Sequence, residues 1–208
     1  WTTGGSDLNH ACQTVARGFT FAMFLTPVDK LAAMFNGVRA WCKAQGLQRP
    51  ADSQFAFMPL VAVGETEKEA LETIERVFWY VTNNKAESQH RAPPGYVETS
   101  LYADFLSGRF SGGRTDAIRE KGMEYFRENH VAIYGTPDNV ANQLRALHKK
   151  VGGFGNLVAM LHAGDMDFEM TAKSMTLFAE KVVPQLCDLG TVRKGFGPLP
   201  ASRKKRIA

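Results

Sequence analysis

Residues Val131 to Leu186 restrict the possible folds most, because they read as a helix, a short apolar strand and a second helix in unbroken order. The first helix has a marked start: Thr136 can cap it with its hydroxyl, Pro137 falls at the first helical position, and Asp138 faces the positive end of the helix dipole. Val140, Leu144, Leu147 and Val151 then share one face. Lys149 and Lys150 close the last turn ahead of Gly152 and Gly153. The run from Leu157 to Leu161 is too short for a helix and suits a parallel strand covered on both faces. From Asp167 a second amphipathic helix is expected, with Phe168, Thr171, Met175, Phe178, Val182 and Leu186 along its apolar stripe. Such a step belongs to an α/β fold with a parallel sheet.

The rest of the chain repeats the pattern. Thr2-Thr-Gly-Gly-Ser6 reads as the tail of a truncated strand and leads into a helix from about Leu8 to Arg17, with Ala11, Val15 and Ala16 inward. Phe19 to Leu25 reads as a strand, followed from Pro27 by a helix carrying Leu31, Met34, Phe35, Val38 and Trp41 to Gly46. Gln54 to Gly64 reads as another strand, broken by Pro59. The helix after it opens on acids and carries Leu71, Ile74, Val77, Phe78 and Val81 on its apolar face. Phe78, Trp79 and Tyr80 are adjacent on that helix and point in different directions, which favours packing over a cofactor-stacking face. Between Asn83 and His130 the regularity fails, apart from a short helix expected near Asp116 to Glu128. A long irregular segment of this kind is more often functional or mobile than padding.

Size and composition fit one globular domain of 208 residues. No apolar run is long enough to span a membrane, and no secretory leader is visible. The net charge of +4 resides in the tail: Arg193, Lys194, Arg203, Lys204, Lys205 and Arg206 lie beyond Gly190 without an acid, and the remainder carries 19 basic against 21 acidic residues. Without interleaved aromatics this reads as a solvated extension, not a nucleic-acid contact. Cys12, Cys42 and Cys187 form no C-x-x-C, so a reducing, cytoplasmic setting is the expectation.

The motif inventory excludes several chemistries. No phosphate-loop motif occurs, and Gly153-Phe-Gly155 lacks the third glycine of a dinucleotide fingerprint because Val158 stands there. His10, His90, His130, His148 and His162 have no metal-ligand spacing, and Ser111 lacks a nucleophile-elbow frame. His162 follows a predicted strand, on the side where α/β barrels keep their chemistry, so it is either a proton handler or a hydrogen-bonded structural residue.

Tyr134-Gly-Thr-Pro-Asp-Asn-Val140, Leu161-His-Ala-Gly-Asp165 and Met175-Thr-Leu-Phe-Ala-Glu-Lys-Val-Val-Pro184 together resemble the C-terminal end of the bacterial luciferase-like flavin monooxygenases. Thr3-Gly-Gly-Ser6 resembles that family's phosphate-gripping turn, and Val61 to Ala70 its later strand-to-helix passage. The resemblance runs from Thr2 to about Leu189. It implies a partial (β/α)8 TIM barrel: strands five to eight in residues 1–189, a lid-like insertion at 83–130 and a basic tail at 190–208. The N-terminal half of the barrel would then be missing.

The resemblance further implies reduced FMN and dioxygen as reactants, a small organic substrate and a flavin reductase as supplier. Gly4, Gly5 and Ser6 would meet the flavin phosphate, with Asn9 as a further contact and Arg109 or Arg114 reaching it from the insertion. From the residues alone, Ser6 can equally be a helix cap, and the two arginines can be solvated. Two alternatives stay open: hydride transfer with a deazaflavin, or a non-catalytic flavin-binding partner subunit or remnant. A half-barrel leaves sheet edges open, so homo- or hetero-oligomerisation is expected.

Overall fold

A computed structural model describes residues 1–3, 7–83, 99 and 121–189. Labelled in chain order, the described elements are β1 (Thr2–Thr3), α1 (Leu8–Ala16), β2 (Phe21–Phe24), α2 (Val28–Ala44), β3 (Phe55–Met58), β4 (Leu60–Val63) and α3 (Glu67–Asn83). After them come α4 (Gly122–Glu128), β5 (Ala132–Gly135), α5 (Pro137–Lys150), β6 (Asn156–Leu157) and α6 (Phe168–Leu177). A π-helical turn (Phe178–Val182) and a 3-10 turn (Val183–Leu186) extend α6.

All pairings are parallel. One sheet has the order β1-β2-β3-β6, and β4 pairs with β5. β3 and β4 are one run of chain divided at Pro59. On one side of that run Met58 O accepts from Leu25 N and Leu60 N donates to Val131 O. On the other side Val61 N donates to Met160 O. The run is therefore flanked first by β2 and then by β5 on one edge, and by β6 on the other.

Strand order and handedness explain where the helices lie. The steps from β1 to β2, β2 to β3 and β5 to β6 all move in one direction along the sheet, so right-handed crossovers put α1, α2 and α5 on one face. The step from β4 to β5 moves backward and sends α3 to the other. Two cores result. Phe21, Phe35, Val38, Phe55, Phe57, Leu144 and Leu147 pack in the first, joined by Val61, Val63 and Ile133. Leu60, Ala62, Ala132 and Tyr134 face the second, with Ala70, Ile74, Val77 and Phe126. Alternate residues of β4 and β5 thus serve different cores, as the period of two requires.

Most expected elements form, with several differences. In α1 Ala16 is exposed, and Cys12 and Thr14 are buried beside Ala11 and Val15. β5 is a buried strand that the sequence reading passed over, because its four residues run directly into the start of α5. Leu157 to Leu161 is only half-buried, apart from exposed Val158, and regular pairing stops after Leu157 before a single bridge from Leu60 to Met160. Pro59 is the cause: odd-numbered residues of the central run donate toward β6, and proline has no N–H to donate. The stripe proposed for the last helix is out of phase, since Phe168 and Met175 are 79% and 48% exposed while Ser174 and Val182 are buried. Phe168 and Met175 both precede the π turn, so the stripe is one position off within α6 itself, where Ser174 takes the inward place expected of Met175. Finally, Leu71 is 39% exposed, and Ala70 takes the inward place expected of it.

Ser174 orients α6. Its Oγ accepts the Val63 N–H at 3.0 Å in a buried setting, satisfying the last amide of β4. Ser174→Ala leaves that amide unpaired and is expected to destabilise the fold by about 1–3 kcal/mol, read as a lower denaturation midpoint with an unchanged denaturant slope.

Candidate functional site

In parallel α/β sheets, chemistry gathers at the C-terminal ends of the strands, where the loops leave for the helices. Here that rim carries Asp7 and Asn9 after β1, Leu25 and Thr26 after β2, Gly64 to Thr66 after β4, Thr136 after β5, and His162 to Asp167 after β6.

At the first of these ends the helix cap is Asp7. Its Oδ1 accepts from Asn9 N at 2.9 Å and His10 N at 3.2 Å, so the reading of Ser6 as the cap is corrected. Aspartate wins because its carboxylate also interacts favourably with the helix dipole. Asn9 is exposed at the second position of α1, with its backbone N–H committed to Asp7. Gly4, Gly5, Ser6, Arg109 and Arg114 lie outside the described residues.

At the second end Leu25 adopts a left-handed backbone (φ 43°) while fully buried, and Thr26 Oγ1 donates to Phe24 O at 3.0 Å. A bulky residue other than glycine held in that region is a strained position kept by its packing.

The ends after β4 and β5 are joined through a carboxylate. Thr136 has the extended backbone of an N-cap, but its hydroxyl caps nothing, contrary to expectation. Glu67 substitutes for it, accepting from Thr136 N and from Asn139 Nδ2, both at 3.1 Å. The Thr136 amide bond, followed by the one from Asn139, holds the Glu67 carboxyl below the usual glutamate range. Nearby, Lys173 Nζ lies 2.9 Å from Glu65 and 2.6 Å from Glu69, and its hydrogen bond keeps Glu69 acidic. Arg76 pairs with Asp165 at 2.6 Å, tying the loop after β6 to α3.

His162 stands on that loop, exposed, with Nδ1 2.9 Å from Thr171 Oγ1. The Thr171 hydroxyl gives its proton to Asp167 O at 2.7 Å, so it receives one from His162. The neutral ring is therefore protonated on Nδ1, leaving Nε2 as an acceptor toward the rim. No sequence signal announces this: Thr171 was placed only as part of an apolar stripe. Among the described residues no hydrogen bond links His162 to Asn9, and no group of three His, Cys, Asp or Glu side chains gathers as metal ligands.

The comparisons extend this geometry. No family model matches the chain. Over 129 residues it is 26% identical to limonene 1,2-monooxygenase of Rhodococcus erythropolis, covering 60% of this chain and 33% of that enzyme. Its structure superposes with a TM-score of 0.59 on the FMN-bound oxygenating constituent of 3,6-diketocamphane monooxygenase from Pseudomonas putida, at 22% identity, covering 88% of this chain and 47% of that one. A monooxygenase from Streptomyces bottropensis gives 0.58 at 18% identity, covering 88% and 46%. The fold is that of part of a (β/α)8 barrel. The chain spans about half the length of these structures and a third of the limonene enzyme. The structure also superposes on the coenzyme F420 dependent tetrahydromethanopterin reductase of Methanopyrus kandleri with a TM-score of 0.52 at 14% identity, covering 87% of this chain and 49% of the reductase.

Two measurements check the rim. Glu67→Ala is expected to cost about 1 kcal/mol of stability at neutral pH, the usual worth of a lost helix cap. Because folding lowers the Glu67 pKa, this contribution is complete above the ordinary glutamate range and disappears as pH falls through the folded-state value. Chemical denaturation of both proteins from pH 7 downward should show the difference closing. Separately, nitrogen NMR of His162 should report the Nδ1-protonated neutral tautomer, and Thr171→Val should shift the ring toward the other tautomer.

Proposed function

We propose that this chain is part of a flavin-dependent monooxygenase that uses reduced FMN and dioxygen to oxygenate a small organic substrate. The observation that carries the reading is its superposition on an FMN-bound monooxygenase across most of its own length. The similarity to limonene 1,2-monooxygenase supports an organic, apolar substrate. FMN supplies the oxygen chemistry when bound, and the protein's part is to bind, orient and exclude water.

Asn9, with Gly4, Gly5 and Ser6, is the proposed phosphate contact, and Arg109 or Arg114 a second one. The described residues fit this role conditionally: the positive end of α1 favours an anion, while the Asp7 carboxylate already occupies two of its amides. A phosphate must share or displace that cap. His162 is the proposed proton handler at the rim, accepting through Nε2 from a polar group of substrate. The three free thiols, two of them buried, are consistent with a cytoplasmic setting. Among the described residues no helix is long and apolar enough to cross a membrane. A flavin reductase as electron source and an oligomeric or complemented assembly complete the proposal.

A second reading, hydride transfer with a deazaflavin, draws on the fold shared with the methanogen reductase. Titration with each cofactor, followed by absorbance and fluorescence, separates the two. For FMN, Asn9→Ala should weaken binding. Asp7→Asn retains a good cap but removes a charge beside the phosphate, and should tighten binding by about threefold to tenfold at low salt. Equal affinity in all three proteins would place the phosphate elsewhere.

A further inference from the structure

At the opposite end of the strands, α2 ends and the chain runs back from Gln45 to β3. A groove of about 560 Å³ opens there beside Gly152, lined by Asn36, Arg39, Lys43, Leu47 and Arg49 among others. Its wall carries three cations and no acid.

Arg39 is a fixed part of the floor. Its Nη1 donates to Asn36 Oδ1 at 3.1 Å and Val151 O at 2.8 Å, its Nη2 donates to Gly153 O, and the guanidinium stacks 4.7 Å from the centre of the Phe55 ring. Asp52 stands behind it at 3.6 Å. Gly152, at φ 77°, lies so close that a Cβ would sit 3.0 Å from Arg39 Nη1. Asn36 turns its oxygen to Arg39, which leaves its NH2 as a donor. Lys43 and Arg49 have no carboxylate partner among the described residues. Arg49 lies near enough to oppose the charge of Arg39.

A lysine in the last turn of a helix is ordinary dipole compensation, and that accounts for Lys43. It does not account for Arg49, which lies beyond the helix in a loop that could have turned it outward from Arg39. A second depression of about 350 Å³ adjoins the first, sharing Leu47 and Arg49, and its wall mixes Val15, Pro50 and Ala51 with Gln48 and Gln54. Donors and cations therefore converge within one groove whose apolar surface comes from its own wall, from Ala40 and the exposed Leu47.

We propose that this groove binds a small organic oxyanion, a carboxylate or a phosphate monoester, with its charged group between Lys43 and Arg49 and its apolar part against Leu47. The site is separate from the rim that holds His162, and it does not depend on the flavin assignment. An oxyanion there gains charge-assisted hydrogen bonds and relieves repulsion among like charges.

The test is calorimetric titration of the whole 208-residue chain at low salt with inorganic phosphate, hexyl phosphate and hexanoate. Saturable binding of hexyl phosphate or hexanoate, tighter than inorganic phosphate, is expected. The Lys43→Ala and Arg49→Ala double variant should bind at least about tenfold more weakly, as loss of charged hydrogen bonds implies, while Arg49→Lys keeps part of the affinity. Lys68→Ala, an exposed lysine elsewhere, should leave binding unchanged. Binding of hexyl phosphate without hexanoate, or the reverse, supports the site and selects the headgroup. No saturable binding, or equal binding by the double variant with its circular dichroism intact, overturns it.

Discussion

The structure depends on a single run of chain, Phe55 to Val63, that changes partners half-way. Its first half hydrogen-bonds to β2 and its second to β5, while its other edge holds β6 on both sides of an interruption. Every described strand except β1 meets this run directly. Pro59 marks the exchange: it removes one donor toward β6, yet Pro59 O still accepts from Met160 N at 3.0 Å. The strand is thereby interrupted without being broken, and the loop bearing His162 leaves from an edge whose ladder has already loosened.

The outline of the fold was legible because periodicity is strong where burial is one-sided. α2, α3 and α5 show their inward residues every three or four positions, and proline, acids, lysines and paired glycines mark the ends of α5. Legibility failed where tertiary contacts overrode local signals. Four residues of β5 give too short a pattern to separate from the helix start that follows. The inward side of α6 lies one position away from its apolar stripe, and nothing in the order of residue types forecasts a serine buried under a strand amide. The expectation of a strand-to-helix series in a parallel sheet was met. The backward step through β5, which puts α3 on a different face from α2, was not foreseen.

At the rim, residue types alone misassigned both caps. Ser6 and Thr136 are good capping residues by chemistry, but carboxylates took the work: Asp7 from the next position and Glu67 from a different helix, 69 residues away in sequence. Long-range substitution of this kind is invisible to a local reading. It also gives the rim its character, since Asp7, Glu65, Glu67, Glu69, Asp165 and Asp167 all sit near strand ends, balanced by Lys173 and Arg76. An anionic ligand entering there meets a field set by these acids as well as by helix dipoles.

The alternation of β4 and β5 between two cores has a consequence for folding. Ile133 belongs to the cluster beneath α5 and Tyr134 to the one beneath α3. A slip of β5 by one position would turn the tyrosine ring into the cluster beneath α5 and the isoleucine into the one beneath α3, spoiling both clusters at once. Mispairing therefore carries a double penalty. This four-residue buried strand is proofread by two interiors that otherwise share little, and neither can close fully until that ladder has found its register.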